Sequence, residues 1–333
     1  MALYSFGAGL FMFKKILVPL DGSEHSRKIV GWATGLAGAL EAEVTLLSVI
    51  DPEEIEILEA TTREIGEVTE DGTTKKAIRT PSDVIDDAIS QAESDLQVEA
   101  EKIRSKGVVA KISVGAGSPA EVIVSEAHAR EIDVIAMATR RESALARGVL
   151  GSVTDRVLHS TSTPLFTLYP GEIHDFDDTS GGPAKVIVPL DGSALSESAI
   201  QPAIEIAKAS NAEIVFMEVL RLPFFGVGVA GIEYGGGDYA GDFGIDQQKK
   251  EITDYLSEFV ANAKASGLAA SASVRSGSPS QQIVEEASET ENSIVVMGSH
   301  GSGGLKRWVV GSVADKVIRS AGRPVLVIPP KTG

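Results

Sequence analysis

The chain has 333 residues, 43% of them hydrophobic and 23% charged, which suits about two ordinary globular domains with buried cores. Its formal net charge of −17 argues against general nucleic-acid binding and against adhesion to anionic membranes, since both need clustered Lys and Arg. With no cysteine, disulfides, zinc–thiolate sites and thiol catalysis are excluded.

From the N-terminus, residues 1–13 are apolar but lack a basic leader region, and no run reaches the ~18–20 apolar residues of a membrane helix. This stretch either packs on the core or precedes a start at Met12, and the protein reads as cytoplasmic. The first strand is Ile16-Leu-Val18, followed by Pro19, Asp21, Gly22 and Ser23. An aspartate at a strand end can accept hydrogen bonds from a base or a ribose. Asp or Ser can equally cap the helix that follows. Thr80-Pro-Ser-Asp83 is a capping-box sequence with proline at the first helical position, and Ile85, Ile89, Ala92, Leu96 and Ile103 follow near helical spacing. A Gly117-Ser-Pro119 turn, the apolar strand Val134-Ile-Ala-Met137, the segment Gly151-Ser-Val-Thr-Asp155 and the strand Pro164-Leu-Phe-Thr-Leu168 complete the first half.

The acidic, glycine-ended segment 171–182 reads as a flexible tether. Beyond it the pattern recurs. Lys15–Ser23 (KILVPLDGS) returns 170 residues later as Lys185–Ser193 (KVIVPLDGS). Gly277-Ser-Pro279, Gly311-Ser-Val-Ala-Asp315 and Pro324-Val-Leu-Val-Ile328 return 160 residues after their counterparts. The chain is an internal duplication, with domains at 13–170 and 183–330. Copy one holds ten extra residues between its second strand and the Gly-Ser-Pro turn. Strands such as Val186-Ile-Val188 and Ile294-Val-Val-Met297 lack in/out alternation, the mark of parallel strands buried on both faces. The expected fold is α/β: two tandem Rossmann-like domains, each a doubly wound, five-stranded parallel sheet with about four helices. Residues 226–244 of copy two, rich in glycine with Tyr234, Tyr239 and Phe243, read as a mobile loop, with a lid over the site as the alternative. The dinucleotide-type match Gly226-Val-Gly-Val-Ala-Gly231 within it has no helix pattern after it and is not taken as a motif.

In an open parallel sheet, ligands bind beyond the carboxyl ends of the strands. In copy two that place holds Gly298-Ser-His-Gly301, nine further residues, and then Gly311-Ser312. Glycines let a backbone approach a phosphate and present N–H groups to it. A helix start with Ser312 as N-cap and Asp315 completing a capping box would also favour an anion. Turns that need positive φ would explain only one of these glycines.

The spacing Gly298-x2-Gly301-x9-Gly311-Ser312, downstream of the strand end Pro189-Leu-Asp191, resembles the universal stress protein family of the ATP-binding type. The resemblance covers both copies and nearly the whole chain. It implies an adenine nucleotide alpha hydrolase-like fold, with ATP or AMP held at the strand ends. Asp191 would lie on the adenine or ribose side and Val219 in the adenine pocket, while Gly298, Gly301, Gly311, Ser312 and Val313 would hold ribose and phosphates. Asp21 and Asp191 could help hold Mg²⁺ with the phosphates, though one carboxylate per site makes no dedicated cage. Family members pair through the last strand; in a tandem chain this sets 324–328 against 164–168, with a homodimer possible beyond that.

Copy one keeps Asp21, Val49, Gly151, Ser152 and Val153, but Ala138-Thr-Arg-Arg141 stands where the glycines should be. A Cβ at 138 and a long side chain at 141 crowd the loop, whereas Arg140 and Arg141 could supply charge to phosphates directly. No binding, binding of a shorter nucleotide and ordinary ATP binding stay open for copy one, and weaker ATP binding is the expectation. The function expected is a nucleotide-dependent regulatory or interaction module in a stress response. The rivals are a slow ATP hydrolase or phosphotransferase using His300 and Ser312, and an interaction module that binds no nucleotide.

Overall fold

The computed structural model of the chain describes residues 13–51, 67–68, 74–75, 81–139, 150–168, 182–220, 239–299 and 310–330. Copy one runs β1 (Lys15–Pro19), α1 (Glu24–Leu40), β2 (Glu43–Ile50), a small hairpin of β3 (Glu67–Val68) and β4 (Thr74–Lys75), α2 (Pro81–Ser105), β5 (Ala110–Ala116), α3 (Pro119–Ala129), β6 (Val134–Ala138), α4 (Ser152–Ser160) and β7 (Leu165–Leu168). Copy two runs β8 (Lys185–Leu190), α5 (Ala194–Glu197), α6 (Ile200–Ser210), β9 (Glu213–Leu220), α7 (Tyr239–Ala265), β10 (Ala270–Ser276), α8 (Pro279–Ser288), β11 (Ser293–Gly298), α9 (Ser312–Ser320) and β12 (Val325–Ile328).

The ten long-range strands form one sheet in the order β10-β9-β8-β11-β12-β7-β6-β1-β2-β5. Within each copy all neighbours are parallel, so each half is the expected doubly wound unit. Helices cover both faces. Ile16 and Val18 of β1 belong to a buried cluster that also draws on α1, α2, α6 and α7, while Leu17 between them belongs to one that draws on α3, α4, α8 and α9. Each face thus carries one core shared by both copies, which is why these strands show no polar alternation.

Three local features depart from the expectation. The connection from β2 to α2, where copy one is longer, holds the β3–β4 hairpin, too short to leave a periodic signal. The first helix of copy two is split into α5 and α6 at Ser198–Ala199. Pro202 lacks an N–H and cannot sit in a helix interior; the break places it in the first turn of α6, where no donor is needed. Trp32 occupies the matching position of copy one, and α1 is continuous. Finally, α7 begins at Tyr239, so the loose stretch read over 226–244 is helical in its last part; its earlier residues lie outside the described ones. The helix expected after Thr80 begins at Pro81, with Thr80 itself outside the described residues.

The two copies meet where β7 and β12 pair antiparallel, with Leu326 opposite Phe166 and Val325 opposite Thr167. The Thr167 hydroxyl donates to the Val325 carbonyl at 3.2 Å. Helix α1 packs against α6 across the same seam. Phe166 is fully buried there, its ring centroid 6.4 Å from that of Trp32. Among the described residues, no helix is long and apolar enough to cross a membrane. Phe166→Ala should lower unfolding free energy by about 3–5 kcal/mol. Because the cores run through both copies, urea denaturation followed by circular dichroism should show one shifted transition rather than the loss of copy one alone.

Candidate functional site

Strand β8 is flanked by β9 on one side and β11 on the other, and its chain leaves towards β9. The switch point of copy two therefore lies between β8 and β11, and that of copy one between β1 and β6. Just beyond β8 stands Asp191, and β11 ends at Gly298. Register pairs Leu190 with Glu218, so Asp191 and Val219 are the next residues on adjacent strands. Pro189 sits beyond the residues that β11 pairs, so its missing N–H leaves no gap in that ladder.

The Asp-Gly-Ser turns are alike in the two copies. The Ser193 backbone N–H and hydroxyl both donate to Asp191 Oδ1, at 3.1 and 2.6 Å, and Ser193 Oγ accepts from the Ser196 N–H at 3.1 Å. In copy one Ser23 donates to Asp21 Oδ1 in the same way, at 3.0 and 2.5 Å. Serine, then, is the helix cap and aspartate shapes the turn before it. Gly22 and Gly192 both have φ of +75°, the left-handed region where glycine carries no Cβ penalty. Both aspartates remain exposed at the strand ends.

Gly298 has a packing reason that the sequence did not suggest. A Cβ there would come within 2.4 Å of the Leu195 carbonyl oxygen of α5. In copy one, Ala138 holds the matching place at the end of β6. Beyond Gly298, the buried Ser299 donates its N–H to the Ile328 carbonyl at 2.9 Å, and its own carbonyl accepts from Gly311 N–H at 2.7 Å. The loop between these residues therefore begins and ends at one point.

The start of α9 corrects the sequence expectation. Gly311 is the N-cap, without a side-chain cap bond, and Ser312 is the first helical residue. Asp315 closes no capping box; its carboxylate accepts from Arg319. Gly311 N–H is taken by Ser299, so it is not among the donors offered to a ligand. The first intrahelical bond runs from Asp315 N–H to the Gly311 carbonyl. The N–H groups of Ser312, Val313 and Ala314 precede it and lie outside the helix ladder. Copy one is built alike, with Gly151 as the N-cap of α4, followed by Ser152 and Val153. Val219, Val310 and Val313 are half-buried against the α8–α9 core, and Val49 and Val153 line the same face in copy one. Gly301, His300, Arg140 and Arg141 lie outside the described residues.

Sequence reasoning missed a group on the opposite face of copy two. The Tyr255 hydroxyl donates to Glu197 Oε1 at 2.9 Å, and Tyr255 stacks edge-on with Phe259 at 5.0 Å. Burial and then the Asp191 charge push the Glu218 carboxyl above its ordinary range. Burial, followed by Glu197, also pushes the Tyr255 phenol up. The signal lay in the repeat itself: Glu197 and Glu218 replace Arg27 and Ser48 of copy one.

Two expectations follow. Gly298→Ala must displace α5 or β11 and should lower stability by about 1–3 kcal/mol, read from the urea midpoint. Glu218 has a raised folded pKa, so the stability it adds is present below its ordinary value of 4.5 and is lost as pH rises through the folded value. Glu218→Gln should therefore raise the melting temperature at pH 7, with the gain vanishing near pH 4; an equal gain at both would contradict the burial of this carboxyl.

Comparison with known proteins fits this architecture. The model of the universal stress protein family matches twice, at residues 12–168 and 183–329. A universal stress protein of Mycolicibacterium smegmatis is 26% identical over 320 residues, covering 95% of this chain and 97% of its own. Universal stress protein MJ0531 of Methanocaldococcus jannaschii is 33% identical over 145 residues, 43% of this chain and 81% of its own. Among solved structures, a universal stress protein from Archaeoglobus fulgidus shares the fold with a TM-score of 0.62 at 23% identity, covering 96% of this chain and 97% of that one. With both halves matched in order and the duplicated sheet in place, this chain belongs to the universal stress protein family as a tandem of two such domains.

Proposed function

We propose that copy two binds an adenine nucleotide, ATP or AMP, at the carboxyl end of its sheet, and that occupancy regulates association with a partner in a stress response. The observation that carries this reading is that three features share the carboxyl end of the copy-two sheet. These are the exposed Asp191 beyond β8, an apolar wall including Val219 and Val313, and the first-turn N–H groups of α9. Asp191 accepts from the ribose or the adenine amino group, with Pro189 and Val219 beside the base. Ser312 and Val313 hold phosphates with their N–H groups, aided by the positive end of the helix. Gly298, Gly301 and Gly311 keep the approaching backbone free of side chains.

Among the described residues, no group of three or more His, Cys, Asp or Glu is placed to hold an ion; Mg²⁺ would come with the phosphates, and Asp191 would help hold it. Copy one offers Asp21, Val49, Gly151, Ser152 and Val153 in the same arrangement, with Ala138 in place of a glycine, and is the weaker site. The last strands already pair within the chain, so a homodimer would use other surfaces.

Nucleotide released by denaturing the purified chain and identified by mass should amount to about one adenine nucleotide per chain. Asp191→Asn should weaken ATP binding roughly 10- to 100-fold, as expected for a lost hydrogen bond to a charged group, and Gly301→Val should abolish it. Two nucleotides per chain would give copy one equal standing. None, with no uptake of added ATP and Mg²⁺ in calorimetry, would leave the interaction module that binds no nucleotide.

A further inference from the structure

The duplicated phosphate-side helices α4 and α9 are tied together by one side chain. Arg319 of α9 donates from Nε to Asp315 Oδ1 at 2.7 Å and from Nη2 to Asp155 Oδ1 of α4 at 2.9 Å. The arginine is 24% exposed, and the two carboxylates are 34% and 41% exposed. In the 160-residue repeat the partner of Arg319 is His159, and it does something different. Its Nδ1 lies 2.7 Å from the carbonyl of Asp155, four residues back, so it turns to its own helix. The link across the seam thus starts from copy two.

The two residues that Arg319 grips are not arbitrary. Asp155 N–H closes the first turn of α4 onto the Gly151 carbonyl, and Asp315 N–H closes the first turn of α9 onto the Gly311 carbonyl, both at 2.9 Å. The amides two and three residues before them are those assigned to phosphates. A planar guanidinium with fixed donor directions transmits a shift of one partner to the other more faithfully than a lysine would. Its charge also offsets two carboxylates that stand within a turn of the proposed anion.

We infer that Arg319 makes the starts of α4 and α9 one unit, so that nucleotide in copy two is felt at the corresponding turn of copy one. Arg319 is a positioning residue in this scheme and touches no ligand. The coupling rests on the nucleotide reading of copy two; the ion link does not.

The test uses the full chain in two arms, both read by hydrogen exchange with mass spectrometry. In the first arm, without nucleotide, Asp155→Asn should speed exchange at the start of α9, in the other copy, by about two- to fivefold, the range an ion pair of this exposure supports. Unchanged exchange there would overturn the link whatever nucleotide does. In the second arm, ATP and Mg²⁺ should slow exchange over 152–160 in the wild type, by about fivefold or more if the coupling is of ordinary strength. Arg319→Gln should still take up ATP but lose that slowing, and Arg319→Lys should restore part of it. Equal slowing in Arg319→Gln would overturn the coupling. Failure of the wild type to take up ATP would overturn the nucleotide reading and the coupling together, with the link judged by the first arm alone.

Discussion

An edge strand carries a row of backbone N–H and C=O groups that need partners, and an apolar one also needs cover from water. Both last strands of this chain face that problem, since Leu165–Leu168 and Val325–Ile328 are buried throughout. Antiparallel pairing of β7 with β12 answers both demands at once. Much else depends on it. It merges the two cores on each face, sets α1 against α6, and brings α4 close enough to α9 for Arg319 to reach Asp155. The outer edges are handled differently. Lys111 on β5 pairs with Glu43, and Arg275 on β10 pairs with Glu286 and Glu289, so charge rather than pairing guards those strands.

Duplication gives the two copies one framework and leaves their carboxyl ends free to diverge. The framework is visible in the Asp-Gly-Ser turns, whose hydrogen bonds agree to about a tenth of an ångström between copies. Differences near the strand ends stand beside these matched turns. Copy two has a first helix broken at Ser198–Ala199 ahead of Pro202, a glycine at 298 that the Leu195 carbonyl requires, and carboxylates at 197 and 218. Copy one has Trp32, Ala138, Arg27 and Ser48 at those positions.

Much of the fold was legible in the sequence because its signals are local or repeated. Apolar runs such as Ile16-Leu-Val18 announced buried parallel strands, and matched blocks at fixed offsets announced two copies. The family resemblance added the pairing of the last strands. What stayed hidden depends on distant contacts or on backbone geometry. Nothing near Ser312 says that Gly311 is the cap, because Ser and Gly both begin helices and only the Ser299 carbonyl decides which N–H is held. No periodicity brings Glu197, Glu218 and Tyr255 together; sheet register and the packing of α7 do. The break before Pro202 was not read from the sequence, because where a helix stops ahead of a proline depends on the three-dimensional path.

The electrostatics of copy two narrow the kind of ligand that suits the proposed site. On the α5–α7 face stand Glu197, Glu218 and Tyr255, with Asp191 at the strand end close enough to raise the Glu218 pKa. On the α8–α9 face lie apolar valines and then the first-turn amides of α9. A simple anion would gain from the amides but be repelled by the carboxylates, and a simple cation would meet the reverse. A molecule with hydrogen-bond donors at one end, a flat apolar middle and negative charge at the other gains along its whole length. An adenine nucleotide has that polarity, with ribose hydroxyls and the adenine amino group for Asp191 and phosphates for the helix. The same division would let a chain of net charge −17 take a phosphate locally, because the favourable field would be the short-range one at a helix start rather than that of the whole molecule.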